Sequence, residues 1–211
     1  MVARSLEPAG GFHGRPGDGW LVGGGSVNSR ASTANLAPIA GYPMRPQATQ
    51  QWSREEIAAM LPTLTGEYIA QPKLNGDRCV LVVKDDGATE LWNRHGSLYH
   101  FTARNRGDHG RHLPTSSIFD GEVWGRDFHP FDCIRWGDLE VDRLPVEARI
   151  EYARRACELV GNAYLFATPT PAWVLSAGPE WEGVVLKLRG SAYRPLKKPF
   201  HESFEWYKVK W

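Results

Sequence analysis

Apolar and polar residues alternate in short runs over most of the chain, which is the period of β-strands rather than of helices. The runs predict strands at 68–73, 77–84, 89–93, 117–124, 128–136, 184–188 and 204–211. Turn sequences such as Asn75-Gly76 and Asp85-Asp86-Gly87 separate neighbouring runs. Because strands do not alternate regularly with helices, the pattern predicts an α+β fold of mainly antiparallel sheets.

Two segments carry the helical period instead. Ser53 with Glu56 three residues later forms a capping box, and Pro62 is expected to end the short helix that follows. Apolar residues recur at helical spacing over 144–160, and Gly161 stands just past the end of that segment. We expect both helices to flank the sheets.

The first 50 residues differ in composition from the rest of the 211-residue chain. They are rich in Gly, Pro, Ser and Asn and contain few periodic apolar positions, so they cannot offset the entropy of ordering. We therefore predict a disordered segment at 1–50 and one folded domain at 51–211. A chain of this length suits a single domain.

Charge and cysteine content narrow the class of protein. The net charge of +1 gives no overall nucleic-acid signature, so any polyanion-binding surface must be local. Cys79, Cys133 and Cys157 follow no metal-binding spacing and indicate reduced thiols. Since no apolar run approaches membrane-spanning length and no signal peptide is evident, we expect a soluble cytoplasmic protein.

The chemically suggestive residues begin at Lys73, in a turn that continues through Gly76 to Arg78. A lysine amine is a possible nucleophile, Gly76 permits close approach of a ligand, and Arg78 offers a bidentate fork for phosphate oxygens. Alone, this pattern is more often a solvated hairpin turn than a site.

Two acidic and two basic positions follow. Glu122 and Glu182 lie beside apolar strand sequence, where carboxylates suit Mg²⁺, although acidic strand ends are common in any α+β protein. Lys208 and Lys210 share one face of the last strand, and the residues between them are expected to face inward. A solvated edge strand would show the same lysine pair.

The order of these motifs is more specific than any one of them. The motifs are Lys73 to Arg78, Arg94, Glu122, Phe131-Asp132, Glu182 and Lys208 to Lys210, with the weaker pattern Asp138-Leu139, Pro145 and Arg149. Over residues 67–211 they resemble the ATP-dependent DNA ligases of the covalent nucleotidyltransferase superfamily. That superfamily also contains RNA ligases and mRNA capping enzymes.

The resemblance implies a role for each position. Lys73 would be the catalytic lysine that takes AMP in a phosphoramide bond, and Phe131 would stack on adenine. Contacts with ATP or AMP are implied for Gln71, Arg78, Arg94, Glu122, Phe131, Lys187, Lys208 and Lys210. A divalent metal is implied at Glu122 and Glu182. Gln71 departs from the acidic residue usual at the adenine edge, and Asn75 departs from the aspartate usual in DNA ligases.

The implied fold is a ligase- or capping-enzyme-type nucleotidyltransferase domain. The implied function is an ATP-dependent ligase that seals DNA nicks through a lysyl-AMP intermediate, with ATP and Mg²⁺ or Mn²⁺ as cofactors. Such enzymes serve DNA repair, recombination and replication. Ligases usually continue into an OB-fold domain, which we do not expect here because the sequence ends at Trp211. We expect a monomer that binds nicked DNA, with a partner protein as a possible duplex clamp.

Three alternatives stay open. Asn75 keeps an RNA ligase as an alternative, with RNA as the polynucleotide. A degenerate, non-catalytic module that binds nicks or ends is the rival from another class, although such a module would not need Lys73. A capping enzyme is less favoured, because it too normally carries a C-terminal OB domain.

Overall fold

The computed structural model describes residue 39 and residues 42–48, 51–99, 110, 112–161, 168–198 and 201–211. Its strands are β1 (Pro46–Ala48), β2 (Tyr68–Leu74), β3 (Asp77–Val83), β4 (Thr89–Asn93), β5 (Ile118–Trp124), β6 (Asp127–Trp136), β7 (Leu139–Glu140), β8 (Trp181–Leu188) and β9 (Ser203–Lys210). Its helices are α1 (Arg54–Leu64), α2 (Val146–Val160) and α3 (Pro171–Ser176).

The strands form two sheets that are joined by the turn after Lys73. One sheet has the order β1-β9-β8-β2 and the other has the order β4-β3-β5-β6-β7. All pairs are antiparallel except β1 with β9. Since β2 and β3 belong to different sheets, the Asn75-Gly76 turn crosses between sheets instead of closing a hairpin. The end of β2 therefore lies where the two sheets meet.

Apolar clusters hold these layers together. Helices α1 and α3 pack Ile57, Leu61 and Val174 against one face of the four-stranded sheet. Helix α2 packs Ala153 and Ala156 against the outer face of the five-stranded sheet. Between the sheets lies a cluster of Ile39, Met44, Val80, Ile118, Ile134, Tyr193 and Trp206. Burial of this surface, at roughly 25 cal/mol per Å², stabilises the fold and fixes the two inner faces relative to each other.

The structure differs from the sequence expectation at Pro62, where α1 continues to Leu64. A proline in a helix removes one backbone hydrogen bond, but its fixed φ is already helical. Buried Ile57 and Leu61 and partly buried Leu64 all pack on the sheet, so the contacts of this face continue through the proline. The capping box at Ser53 and Glu56 is present as predicted, and Gly161 ends α2 with a φ of 79°.

Part of the N-terminal segment is included in the fold. Residues 46–48 form β1, and Met44 is fully buried. Residues 1–38, 40–41 and 49–50 of the predicted disordered segment lie outside the described residues. No helix in the described ranges is long and apolar enough to cross a membrane.

Candidate functional site

Two neighbouring rows of residues across β2, β8 and β9 carry the basic positions singled out in the sequence. The rows are Lys73–Gly183–Lys210 and Gln71–Val185–Lys208. Residues directly opposite in an antiparallel sheet share a face, so these lysines lie on one side of the four-stranded sheet. Trp206, two residues before Lys208, shares that face and is buried between the sheets. This face is therefore the inner one, turned toward the five-stranded sheet.

Lys73 is the next-to-last residue of β2, so it lies in a strand rather than in the turn. Its ammonium group donates to one oxygen of Glu182, and Lys210 donates to the other at 2.5 Å. Burial opposes ionisation of Glu182, but the hydrogen bonds from Lys210 and Lys73 outweigh it and lower the pKa of the carboxyl. One carboxylate thus holds both lysines at the sheet junction.

Gly183 makes this arrangement possible. Its φ of 152° is unfavourable for other residues, and a Cβ there would overlap the carbonyl oxygen of Val209. Only glycine lets β8 pass this close to β9 with Lys73 on one side and Lys210 on the other.

The facing wall is a row of Arg78, Glu122 and His129 across β3, β5 and β6. Arg78 makes a bidentate ion pair with Asp120, with nitrogen–oxygen distances of 3.0 and 2.5 Å. Its fork is therefore engaged with a carboxylate rather than open to solvent. Burial raises the pKa of Glu122 to about 7, although the nearby charges of Lys73 and Arg78 oppose the shift.

The raised pKa of Glu122 leads to a stability prediction. A carboxyl with a folded pKa of about 7 and an ordinary value of 4.5 stabilises the fold below pH 4.5 and loses that contribution as the pH rises through 7. Glu122→Gln should therefore be more stable than the wild type at pH 8, by about 2 to 4 kcal/mol. The gain should fade toward pH 4 in urea unfolding without metal. A difference that does not vary with pH would contradict the prediction.

An aromatic site lies beside the lysine rows. The β5–β6 register shifts between Asp120 and Gly121, which leaves Phe131 as an unpaired bulge residue, and such bulges redirect side chains. Phe131 is half-buried, and its carbonyl accepts from the Gln71 amide at 3.2 Å. The Arg78 guanidinium lies 5.4 Å from the ring centroid. Gln71 and Phe131, predicted to bind adenine, are thus neighbours.

Lys187 lies inside this layer and is only 1% exposed. It donates to Asp132 at 3.0 Å and to the Phe131 carbonyl at 3.1 Å, and it lies 4.0 Å from the ring centroid of Trp206. Burial lowers the pKa of Lys187 to about 8, against the opposing charge of Asp132. The structure thus places Lys187 against a protein carboxylate, at a position where the resemblance implies a contact with ATP or AMP.

Arg149 completes this buried network and is fully inaccessible to solvent. It donates to Asp132 at 2.8 and 3.3 Å, to the Leu144 carbonyl at 2.7 Å and to the Ser191 carbonyl at 2.6 Å. Burial opposes ionisation of Asp132, but Lys187 and Arg149 outweigh it and lower the pKa of that carboxyl. Arg149 therefore joins α2 to β6 and to the segment after β8.

Arg94 is the one predicted residue that the described contacts leave apart from this cluster. It is exposed in the turn after β4, where its Nε donates to the ring of His95 at 3.3 Å. Lys208 is half-buried. Its pKa is lowered mainly by burial and, to a smaller extent, by the neighbouring positive charge of Arg45.

Sequence reasoning missed the tertiary partners of the site. Asp120 holds Arg78 and also accepts from the Tyr193 hydroxyl at 2.8 Å. Asp120 was visible only as part of the motif around Glu122, and no pattern in the sequence points to Tyr193. The three cysteines are buried and free, as predicted.

The carboxylates of Glu122 and Glu182 could supply only part of the ligands of a magnesium ion. Among the described residues, no group of three or more His, Cys, Asp or Glu side chains could hold a metal ion. Mg²⁺ normally uses one or two carboxylates together with waters and substrate phosphates. Glu182, and Glu122 on the facing wall, match that smaller donor set.

No protein-family model matches this chain, and no curated protein matches it. Among solved structures, one named "Pmar-Lig_PreS3" has a TM-score of 0.53 at 16% identity, covering 80% of this chain and 46% of its own. A structure from an analysis of Lig E DNA ligases has a TM-score of 0.49 at 16% identity, covering 82% of this chain and 69% of its own. An archaeal ATP-dependent RNA ligase has a TM-score of 0.44 at 20% identity, covering 82% and 48%.

The first of these likenesses shows a shared fold, and the other two are too distant to support an inference. The chain spans about half the length of the first structure. The predicted fold class, antiparallel sheets with flanking helices, is confirmed.

Proposed function

We propose that this chain is an ATP-dependent polynucleotide ligase in which Lys73 carries AMP. The Lys73 ammonium would first release a proton to solvent. The neutral amine would then attack the α-phosphorus of ATP, forming a P–N bond and releasing pyrophosphate and the second proton. AMP would then pass to a 5′-phosphate of the nucleic acid, which frees the amine. A 3′-hydroxyl would finally attack that phosphate, forming the phosphodiester bond and releasing AMP.

The observation that supports this proposal best is the Lys73–Glu182–Lys210 contact at the sheet junction. A nucleophile, a carboxylate and a second cation meet beside a glycine that keeps the strands close. Glu182 orients the Lys73 amine by accepting its hydrogen bond. Lys210 would stabilise the negative charge that develops on the attacked phosphate.

The remaining residues would bind the nucleotide. Phe131 offers a half-buried ring for adenine, with the Gln71 amide beside it. Glu122 lies across the cleft from Lys73 and would accept from ribose hydroxyls when ionised. A divalent metal held by Glu182 and Glu122 would supply Lewis-acid stabilisation of the phosphate charge.

Nicked DNA is the substrate we favour, since the motif order resembles that of DNA ligases. Asn75 is the observation that favours RNA as the second candidate. Both substrates should be tested together, as 5′-labelled nicked duplexes in which the sealed strand is DNA or RNA, with ATP and Mg²⁺. The substrate whose labelled strand is converted to a longer product is the one that the protein seals. Binding of both without any strand joining would support the non-catalytic module instead.

Glu182 should serve catalysis rather than folding. Its side chain is 24% exposed and keeps contact with solvent, so Glu182→Ala should change the free energy of unfolding by less than the cost of about 3–5 kcal/mol expected for a fully buried pair. AMP transfer to the protein should fall about 100-fold. This is the upper end of the loss of activity seen when a residue that orients the groups around a metal site is removed. Glu140→Ala, which removes an exposed paired carboxylate on β7, is the control. A large loss of stability with normal transfer per folded molecule would argue for a structural role.

A further inference from the structure

Trp124 is a large apolar side chain left 46% exposed, two residues after Glu122 on β5. It ends β5, and the tight turn to β6 begins with Gly125 at a φ of 65°. Its ring contacts the buried ring of His129, with centroids 6.5 Å apart at 60°. The indole is thus held on a rigid hairpin with part of its surface free.

A groove of about 400 Å³ opens next to this ring. Its lining residues come from two chain turns: Asn75, Gly76, Asp77, Val123, Trp124 and Gly125. We call it the Trp124 groove. A Cβ at Gly76 would lie 2.5 Å from the Val123 carbonyl oxygen, so the turn after Lys73 sits directly on β5.

The charges of the Trp124 groove favour a base over a phosphate. Among the residues that the structure describes, no lysine or arginine lines it, and the Asp77 carboxylate, whose Oδ2 accepts from Tyr99 at 2.8 Å, would repel a phosphate. An indole face, the Asn75 amide and backbone groups are instead suited to stacking on a nucleobase and hydrogen bonding its edge.

The position of the groove identifies which base would enter it. Glu122 of β5 pairs with His129 of β6. Trp124 lies two residues beyond Glu122, nearer the tip of the β5–β6 hairpin. Phe131 lies two residues beyond His129, farther from that tip. The two aromatic rings therefore flank Glu122, with about 13 Å of strand between their levels. If adenine of ATP occupies Phe131, the base at Trp124 must belong to the other substrate.

We propose that the Trp124 groove binds a nucleobase of the polynucleotide, at a nucleotide that flanks the reacting end. This inference rests on the proposed ligase function. Trp124 stacks on that base and Asn75 contacts its edge, so the strand end is held on the side of Lys73 opposite to the adenine of AMP.

The test compares Trp124→Ala and Trp124→Phe with Phe204→Ala, which removes an 80% exposed ring on β9. The substrate is a nicked duplex with AMP already on its 5′-phosphate, either intact or abasic at one of the two nucleotides flanking the nick. Trp124→Ala should raise KM for sealing the intact nick about 5- to 100-fold, the range for loss of one stacked base. Trp124→Phe and Phe204→Ala should have little effect, and melting temperatures should be unchanged.

The decisive result is non-additivity. With one of the two abasic substrates, wild type and Trp124→Ala should bind equally, because the stacking partner is already absent. If Trp124→Ala raised KM by the same factor on the intact substrate and on both abasic substrates, the proposal would be overturned. A raised KM for ATP in self-adenylation by this variant would overturn it as well. Fluorescence anisotropy of the labelled nick without ATP measures binding independently of AMP transfer. If the wild type fails to take up AMP, the proposed function fails. The binding measurement still decides whether Trp124 contacts the nucleic acid.

Discussion

Lys73→Ala should lose all covalent transfer of AMP from ATP while retaining a folded structure. The side chain is 19% exposed and its partner Glu182 keeps Lys210, so the loss of one partly exposed ion pair should cost little stability. The chemical loss should be total, because the proposal assigns Lys210, the other amine on Glu182, to the charge of the phosphate and not to the attack. The measurement is radiolabel from ATP labelled at the α-phosphate, retained on the protein in denaturing electrophoresis, with Mg²⁺ present.

Two further variants sharpen this result. Lys73→Arg keeps the positive charge and the ion pair, but guanidinium is never deprotonated in proteins and cannot attack phosphorus, so it too should carry no label. Lys84→Ala, which removes an exposed lysine paired with Glu90 at the far end of β3, should label normally. Label that persists in Lys73→Arg would place the nucleophile elsewhere.

Arg149→Ala should produce the largest loss of stability. Arg149 and Asp132 are both fully buried, and removal of Arg149 leaves Lys187 as the remaining cation on that carboxylate, so the loss should approach the cost of about 3–5 kcal/mol for a broken buried pair. Two backbone carbonyls, those of Leu144 and Ser191, would also lose their donor. The free energy of unfolding from urea titration at pH 7 measures the effect.

The matched control is on the same helix. Arg154 also makes ion pairs with two glutamates, but on the exposed face of α2, so Arg154→Ala should change stability little. Similar losses for the two variants would show that burial of the Arg149–Asp132 pair does not govern its contribution. Asp132→Asn should lose stability as well, because both Arg149 and Lys187 depend on that carboxylate.

Local patterns in the sequence predicted the elements well where one face is buried. Alternation located β2, β3, β4, β5 and β6, and the capping box at Ser53 located the start of α1. The same logic missed α3 and β1, which are short and depend on packing against the sheet. It also placed Lys73 in a turn, because an Asn-Gly pair usually closes a hairpin and here crosses between sheets.

The candidate site was visible as an ordered set of motifs, but its internal pairing was not. The resemblance implies that Lys187 contacts ATP or AMP, and its strand places it beside Asp132 in the core, a pairing that local spacing does not indicate. Arg149 lies on the buried face of α2 among alanines, where helical periodicity alone would expect an apolar residue. Such pairs depend on which strands and helices meet, and that information is absent from local spacing.

The central claim is that Lys73 forms a covalent bond to AMP, and peptide mapping by mass spectrometry tests it most directly. Wild-type protein incubated with ATP and Mg²⁺ should gain the mass of one AMP, and the modified peptide should carry it on Lys73 through an acid-labile, alkali-stable P–N bond. Pyrophosphate added afterwards should remove it and regenerate ATP. An unmodified Lys73, or AMP found on another residue, would contradict the account.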